Sequence, residues 1–337
     1  MTTVNGAFDE YQQYVNAEEI AVKEARRRRD LFKDAFEGLD EVDEVIASGS
    51  LRRGTHKDPI NDVDTIIIFD EAEHPDWGTP GDSAAAALDH TRELINEMLG
   101  ATKGSKAQEV RLAKPKNHAV KCFLDDPDDP GAFTVDAMPA LRRGGMLLVP
   151  EVLTRKWIFT DPEHLIAEVA KRHAEWSRFA GLVRMLKDWA SNQDIKIKSL
   201  VMEVLALELL PAAGNRPTAL KEFYVRAAYR VESMAPIEDP AGVCGPIQAD
   251  LDMVAFGERL RTAATTATSA IAAVSDNDVP KALSRWHDIF GDGFPPPPPP
   301  PARPVKPTPA PGVLPLVPTV VPSEQPSRRP IKDTPQG

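Results

Sequence analysis

The sequence predicts an α+β protein, a small mixed sheet backed by helices and followed by a helical region. Three observations predict it. Val63–Phe69 has the length and β-branched composition of a strand, and shorter apolar runs recur at 110–112, 119–124 and 133–141. From about Pro150 the apolar spacing becomes that of helices. After Phe294 the chain is proline-rich to its end, a composition that cannot bury a core and reads as an extended, disordered tail. The expected divisions are therefore 1–149, 150–293 and 294–337.

Residues 8–38 read as one helix, with Asn16 and Glu19 in a capping-box spacing ahead of Ile20, Leu31, Phe32 and Phe36. The run Arg26–Arg29 falls inside it and reads as a solvated face. Glu71–Ser83 is loop by composition, and a helix from about Ala84 to Leu99 is stopped by Gly100. The strands at 110–112 and 119–124 are separated by a basic turn at Lys114-Pro115-Lys116, and 125–131 is a second turn.

Glu163–Ala190 reads as one long helix with Leu165, Val169, Trp176, Ala180, Val183 and Ala190 on a single stripe. Lys187 falls near the centre of that stripe, so it either snorkels to an edge or faces a polar cleft. The next helix, from about Ser199, is apolar almost all round and so central to its domain. Ser199 at its start is either an N-cap or a phosphate contact, because the free N–H groups there favour an anion. Further helices are expected near 218–234, 250–273 and 280–290.

The chemistry concentrates in ASGSLRRGTHKDPINDVDTIIIFD, residues 47–70. Alternate strand residues share a face, so Asp62 and Asp64 project together at the start of the strand. Two carboxylates one pleat apart suit a hard cation such as Mg²⁺. The Gly49-Ser50 turn would let backbone N–H groups and a hydroxyl approach an anion closely. A third acid, Asp136, lies in the short apolar run FTVDAMPAL. An anion cradle beside a metal dyad means nucleotide chemistry.

Composition bounds the partners. The net charge of −11 argues against broad nucleic-acid binding, which needs a positive surface. The tail from Pro295 holds five Lys/Arg against two acids, leaving about −14 for everything before it. Two basic clusters, Arg52, Arg53 and Lys57, and Lys114, Lys116 and Lys121, lie close in sequence to the acids. No apolar run approaches the roughly 18 residues of a membrane span. Cys122 and Cys244 have no metal-ligand spacing and read as reduced thiols in a cytoplasmic protein.

The order Gly49-Ser50, Gly54-Thr55, Asp62-x-Asp64 and then Asp136 resembles the nucleotidyltransferases of the DNA-polymerase-β type. KWIFTDPEHL, VRMLKDWA, IKIKSLVMEVLALELL and IEDPAGV follow in an order that resembles the bacterial cGAS/DncV-like nucleotidyltransferases (CD-NTases). That resemblance covers roughly residues 8–290. It implies a bilobal enzyme, with a polymerase-β-like core, a helical domain and the active site in the cleft between them. Such enzymes join NTPs into cyclic or short linear oligonucleotide second messengers, commonly in the anti-phage systems known as CBASS.

The resemblance also implies roles. Asp62, Asp64 and Asp136 would hold two Mg²⁺ (or Mn²⁺) ions, with Asp136 accepting a proton from the acceptor ribose. Gly49 and Ser50 would hold the donor triphosphate from one side, with Lys187 and Ser199 on the other. Leu200 departs from the pattern, since many relatives carry an aromatic residue there that stacks on the donor base. A downstream effector would read the product, and ubiquitin-transfer-like enzymes could act on the terminal Gly337. Two competing readings are an RNA 3′-terminal nucleotidyltransferase, disfavoured by the acidic balance, and a non-catalytic scaffold with a docking tail, disfavoured by the three intact acids.

Overall fold

A computed structural model of the chain describes residues 3–100, 109–297 and 299. The proline-rich tail beyond these, Gly337 included, lies outside the described residues. The α+β expectation holds.

Helix α1 (Val4–Val15) is capped by Thr3, whose hydroxyl accepts from the Gly6 N–H at 3.0 Å. Helix α2 (Glu19–Phe36) is separate from it, so the single helix expected over 8–38 is two. The Asn16–Glu19 capping box does not form. Asn16 instead accepts from Gln12 Nε2 at 2.7 Å, and Glu18 takes the cap position with no side-chain bond. The break has a packing reason: α1 buries Phe8 and Tyr11 in the helical core, whereas α2 buries Phe32 and Phe36 under the sheet. The arginine run is largely paired, with Arg27 and Arg28 on Glu24, Arg28 also on Asp125, and Arg29 on Asp30.

The sheet comprises β1 (Val42–Ser48), β2 (Asp62–Phe69), β3 (Leu112–Pro115), β4 (Val120–Phe123), β5 (Thr134–Arg143), β6 (Met146–Glu151) and β7 (Lys156–Thr160). Its spine runs β1-β2-β5-β4-β3, with β6 on β5 and β7 on β6. Among the described residues only the β2–β5 pairing is parallel. A short helix, α3 (Gly49–Arg53), joins β1 towards β2, and α4 (Ser83–Leu99) covers one face with α2. There Val63, Ile67 and Val135 meet Phe32, Phe36, Leu88 and Ile95. Lys114 and Pro115, expected in a turn, belong to β3.

Strands β6 and β7 were not foreseen, and the boundary expected at 149/150 falls inside β6. The local signal for their hairpin is Gly144-Gly145, with φ of 60° and 83°. Two consecutive left-handed residues suit a tight hairpin turn, and glycine adopts them without steric cost.

Six helices follow: α5 (Pro162–Glu175), α6 (Phe179–Ser191), α7 (Ser199–Leu209), α8 (Arg216–Glu232), α9 (Met253–Ser275) and α10 (Val279–Phe290). Asp161 caps α5 on the His164 N–H at 2.9 Å with Pro162 in the first turn. The long helix expected over 163–190 breaks at Trp176, whose backbone is extended. Helix α6 is then free to bury almost its whole surface, Lys187 and Asp188 included. Phe294 is fully buried against Phe8 and Tyr11, so the helical core outlasts the boundary expected at 293/294. Cys122 and Cys244 are both free, and no helix of the described residues is long and apolar enough to cross a membrane.

Candidate active site

Asp64 and Asp136 are direct register partners on the parallel pair β2 and β5. Adjacent strands lie about 4.8 Å apart, so the two carboxyls share one neighbourhood. Asp62 stands two residues earlier on β2, exposed at the strand start and on the same face. Asp64 and Asp136 are half-buried.

The triad is electrostatically loaded. Burial pushes the Asp64 carboxyl up to about 6, and the charges of Asp62 and Asp136 add to the rise. Burial also raises Asp136, against the opposing pull of Lys121 directly across from it on β4. Asp136 Oδ1 is buried with no hydrogen-bond partner. Three converging carboxylates, one with an unpartnered buried oxygen, fit a divalent cation, which would offset their repulsion.

Gly49 shows why the loop before β2 must have no side chain. Its φ is +70°, and a Cβ there would come within 1.7 Å of Asp64 Oδ2. The backbone at the start of α3 therefore presses directly against the carboxylates.

A cavity of ≈ 190 Å³ opens beside this centre, lined by Ser50, Thr55, His56, Lys57, Pro59, Ile60, Asp62, Lys187 and Ser199. It brings together residues that the sequence holds 149 positions apart, from Ser50 to Ser199. A larger groove of ≈ 1010 Å³ lies beyond α3, lined by residues such as Arg29, Arg52 and Glu163, and touches none of the three aspartates. The smaller cavity is the chemically equipped one.

Lys187 does line this cavity, yet it is not a free cation. Its Nζ donates to Glu203 Oε2 at 2.6 Å and to the Thr55 carbonyl at 3.1 Å. Glu203 also accepts from Arg53 Nε at 2.6 Å and from the Thr55 hydroxyl at 2.9 Å. Burial lowers the Lys187 ammonium, with Glu203 opposing. Burial works to raise Glu203, but the charges of Lys187 and Arg53 and their hydrogen bonds overcome it and hold the carboxyl at about 2. Alongside, Lys57 pairs with Asp188 at 3.1 Å, and Asp188 accepts from the Tyr11 hydroxyl at 2.8 Å.

Ser199 is the exposed first residue of α7, with Lys198 in the cap position, so it is not the N-cap. Leu200 packs against the helical core as a partly buried side chain. His56 Nδ1 is buried without a partner, and burial followed by the cations Arg184, Arg26 and Lys187 lowers its pKa to about 4. Sequence reasoning missed Glu203 and His56, and gave Thr55 a place in the motif but no partner. The signal for Glu203 was present: an acid at the middle of a helix that is apolar apart from Ser199 and Glu208 demands a cationic partner.

Residues 29–117 match the nucleotidyltransferase domain family. Over 340 aligned residues the chain is 22% identical to a probable cyclic nucleotide synthase of Bacillus cereus (strain VD146), covering 87% of this chain and 98% of that protein. The structure of CdnC from E. coli MS115-1 with ATP matches with a TM-score of 0.67 at 17% identity, over 86% of this chain and 98% of that one. CdnC in complex with HORMA-deltaN from the same strain matches at a TM-score of 0.63 and 16% identity, with the same coverages. Residues 29–117 are therefore those of a nucleotidyltransferase domain, and the chain shares the fold of CdnC and is similar over most of its length to a probable cyclic nucleotide synthase.

Proposed function

We propose that this nucleotidyltransferase joins NTPs, with release of pyrophosphate, into a cyclic or short linear oligonucleotide messenger of anti-phage signalling. The observation that carries the reading is the Asp64–Asp136 register pair, backed by Gly49 and opening on the Ser50–Lys187–Ser199 cavity. The kinship with cyclic nucleotide synthases supports the same class of product.

Asp62, Asp64 and Asp136 would hold Mg²⁺, with Mn²⁺ as a substitute. When bound, the metal neutralises charge on the transferring phosphoryl group and the leaving pyrophosphate. The chain's own groups do the rest. Asp136, on the strand beside the dyad, accepts the proton of the acceptor ribose hydroxyl. The Gly49-Ser50 backbone and the Ser50 hydroxyl hold the donor triphosphate. Ser199, at the start of an 11-residue helix, and Lys187 meet it from the other side. Leu200 offers an apolar edge in place of a stacking ring, so base choice rests on other contacts.

The HORMA complex of CdnC supports a regulatory protein partner for this chain as well. A downstream effector would read the product.

The deciding experiment incubates the purified protein with all four NTPs and Mg²⁺ or Mn²⁺ and reads the products by mass spectrometry. A phosphatase-resistant cyclic oligonucleotide, lost in the Asp62→Ala, Asp64→Ala variant, is the expected result. Extension of an added RNA, with no cyclic product, would replace this reading with terminal transfer.

A further inference from the structure

At the far end of β2 from the aspartates, three side chains from three separate segments converge. Glu41 precedes β1, His74 lies in the loop after β2, and His90 is on α4. One ligand atom from each lies within 4.8 Å of both others. The Nε2 atoms of His74 and His90 both approach Glu41 Oε2, at 2.9 and 2.7 Å.

A carboxylate bridging two imidazole N–H groups would account for these distances if both bonds were well aimed. They are not. His90 makes a hydrogen bond to Glu41, whereas His74 Nε2 is buried and has no hydrogen-bond partner despite its 2.9 Å approach. Its ring nitrogen thus stands beside both other donor atoms without a well-formed bond of its own. The surroundings hold it there: His74 stacks on Trp77 at 3.9 Å between ring centres and meets Phe69 edge-on at 5.3 Å. The Asp70 N–H donates to the Glu41 carbonyl at 2.9 Å, fastening the segment before β1 to the loop.

We propose that Glu41, His74 and His90 bind one transition-metal ion of the zinc class. Two imidazoles and one carboxylate form a borderline donor set, suited to Zn²⁺ and foreign to Mg²⁺, which takes oxygen ligands. Three protein ligands leave the fourth tetrahedral position to water. The ion clamps the loop after β2 and the body of α4 to the edge of the sheet. Its site is separate from the catalytic centre: the six residues from Asp64 to Asp70 span roughly 20 Å at a strand rise of about 3.3 Å.

The test uses full-length protein carrying Asp62→Ala and Asp64→Ala, so that the catalytic carboxylates do not compete for the metal. The chelator-stripped protein is titrated with Zn²⁺ alone by calorimetry, with Mg²⁺ as control. One Zn²⁺ per chain with Kd below about 1 µM is expected, with at least ~100-fold weaker binding in His74→Ala and in His90→Gln. Co²⁺ should give the visible bands of a tetrahedral site in the parent and not in these variants. Metal-free melting reports whether each variant folds, and Glu41→Gln, close in size to the original, provides a third test of the same loss. Zn²⁺ binding equally tight in folded variants, or absent from the parent, overturns the proposal.

Discussion

Lys187 Nζ lies 2.6 Å from Glu203 Oε2, with 3% and 0% of the two side chains exposed. Arg53 Nε meets the other oxygen of the same carboxylate at 2.6 Å. One buried acid from α7 thus holds cations from α6 and α3. The sheet side, through α3, and the helical region are joined by charge at the wall of the cavity.

Removing Glu203 leaves two buried cations uncompensated, the costly way to break such a network. Glu203→Ala is expected to lose about 3–5 kcal/mol of stability, read by urea denaturation. A loss below about 1 kcal/mol would mean that water already reaches these cations.

The same residue makes a pH prediction. Its carboxyl is held down at about 2 in the folded chain against 4.5 for an ordinary glutamate, so its contribution is complete above the unfolded value and vanishes as pH falls through about 2. The stability gap between the native chain and Glu203→Gln should stay constant from pH 7 to about 5.5 and close steadily below about 4.5. A gap that already narrows between pH 7 and 6 would contradict the ion pair.

Gly49→Ala places a methyl group where Asp64 Oδ2 stands and demands a left-handed alanine, at a strain of about 1–2 kcal/mol. Activity is expected to fall by at least ~100-fold, because the displaced carboxylate loses its position beside Asp136. Circular dichroism should stay native. Near-normal kcat in this variant would remove Gly49 from the site.

Asp64→Asn relieves repulsion between register neighbours. In the metal-free protein it should raise stability by about 1 kcal/mol while abolishing product, the usual opposition of site chemistry and stability. Melting in EDTA and an NTP assay check the two halves separately.

Tyr11→Phe deletes the hydroxyl that Asp188 accepts at 2.8 Å, while Lys57 still holds the other oxygen. A stability loss of about 1–2 kcal/mol with kcat changed less than about threefold is expected. A large kcat effect would make Asp188 and Lys57 part of the reaction rather than of the scaffold.

Much of the site was legible because its elements are local. Asp62 and Asp64 share a strand face by the period of a strand alone, and Gly49-Ser50 marks a turn by its residue types. The helix breaks were harder to read. Residues 8–38 carry helical periodicity throughout, yet the two halves serve different cores, and only that competition separates α1 from α2. Trp176 likewise lies on the apolar stripe of one continuous helix and is extended in the structure.

The sequence by itself determined the α+β class, the strand carrying the dyad, the third acid, and the helical lobe with Lys187 facing polar company. Each follows from local periodicity, turn chemistry or the cost of burying a charge. The tertiary structure decided the rest: the parallel register opposing Asp64 to Asp136, the partner of Lys187, and the meeting of Glu41, His74 and His90. Glu203 lies 16 residues from Lys187 and 150 from Arg53, and nothing in local spacing brings all three together. The protein interior does, because a buried charge must find its counter-charge wherever the packing of the chain supplies one.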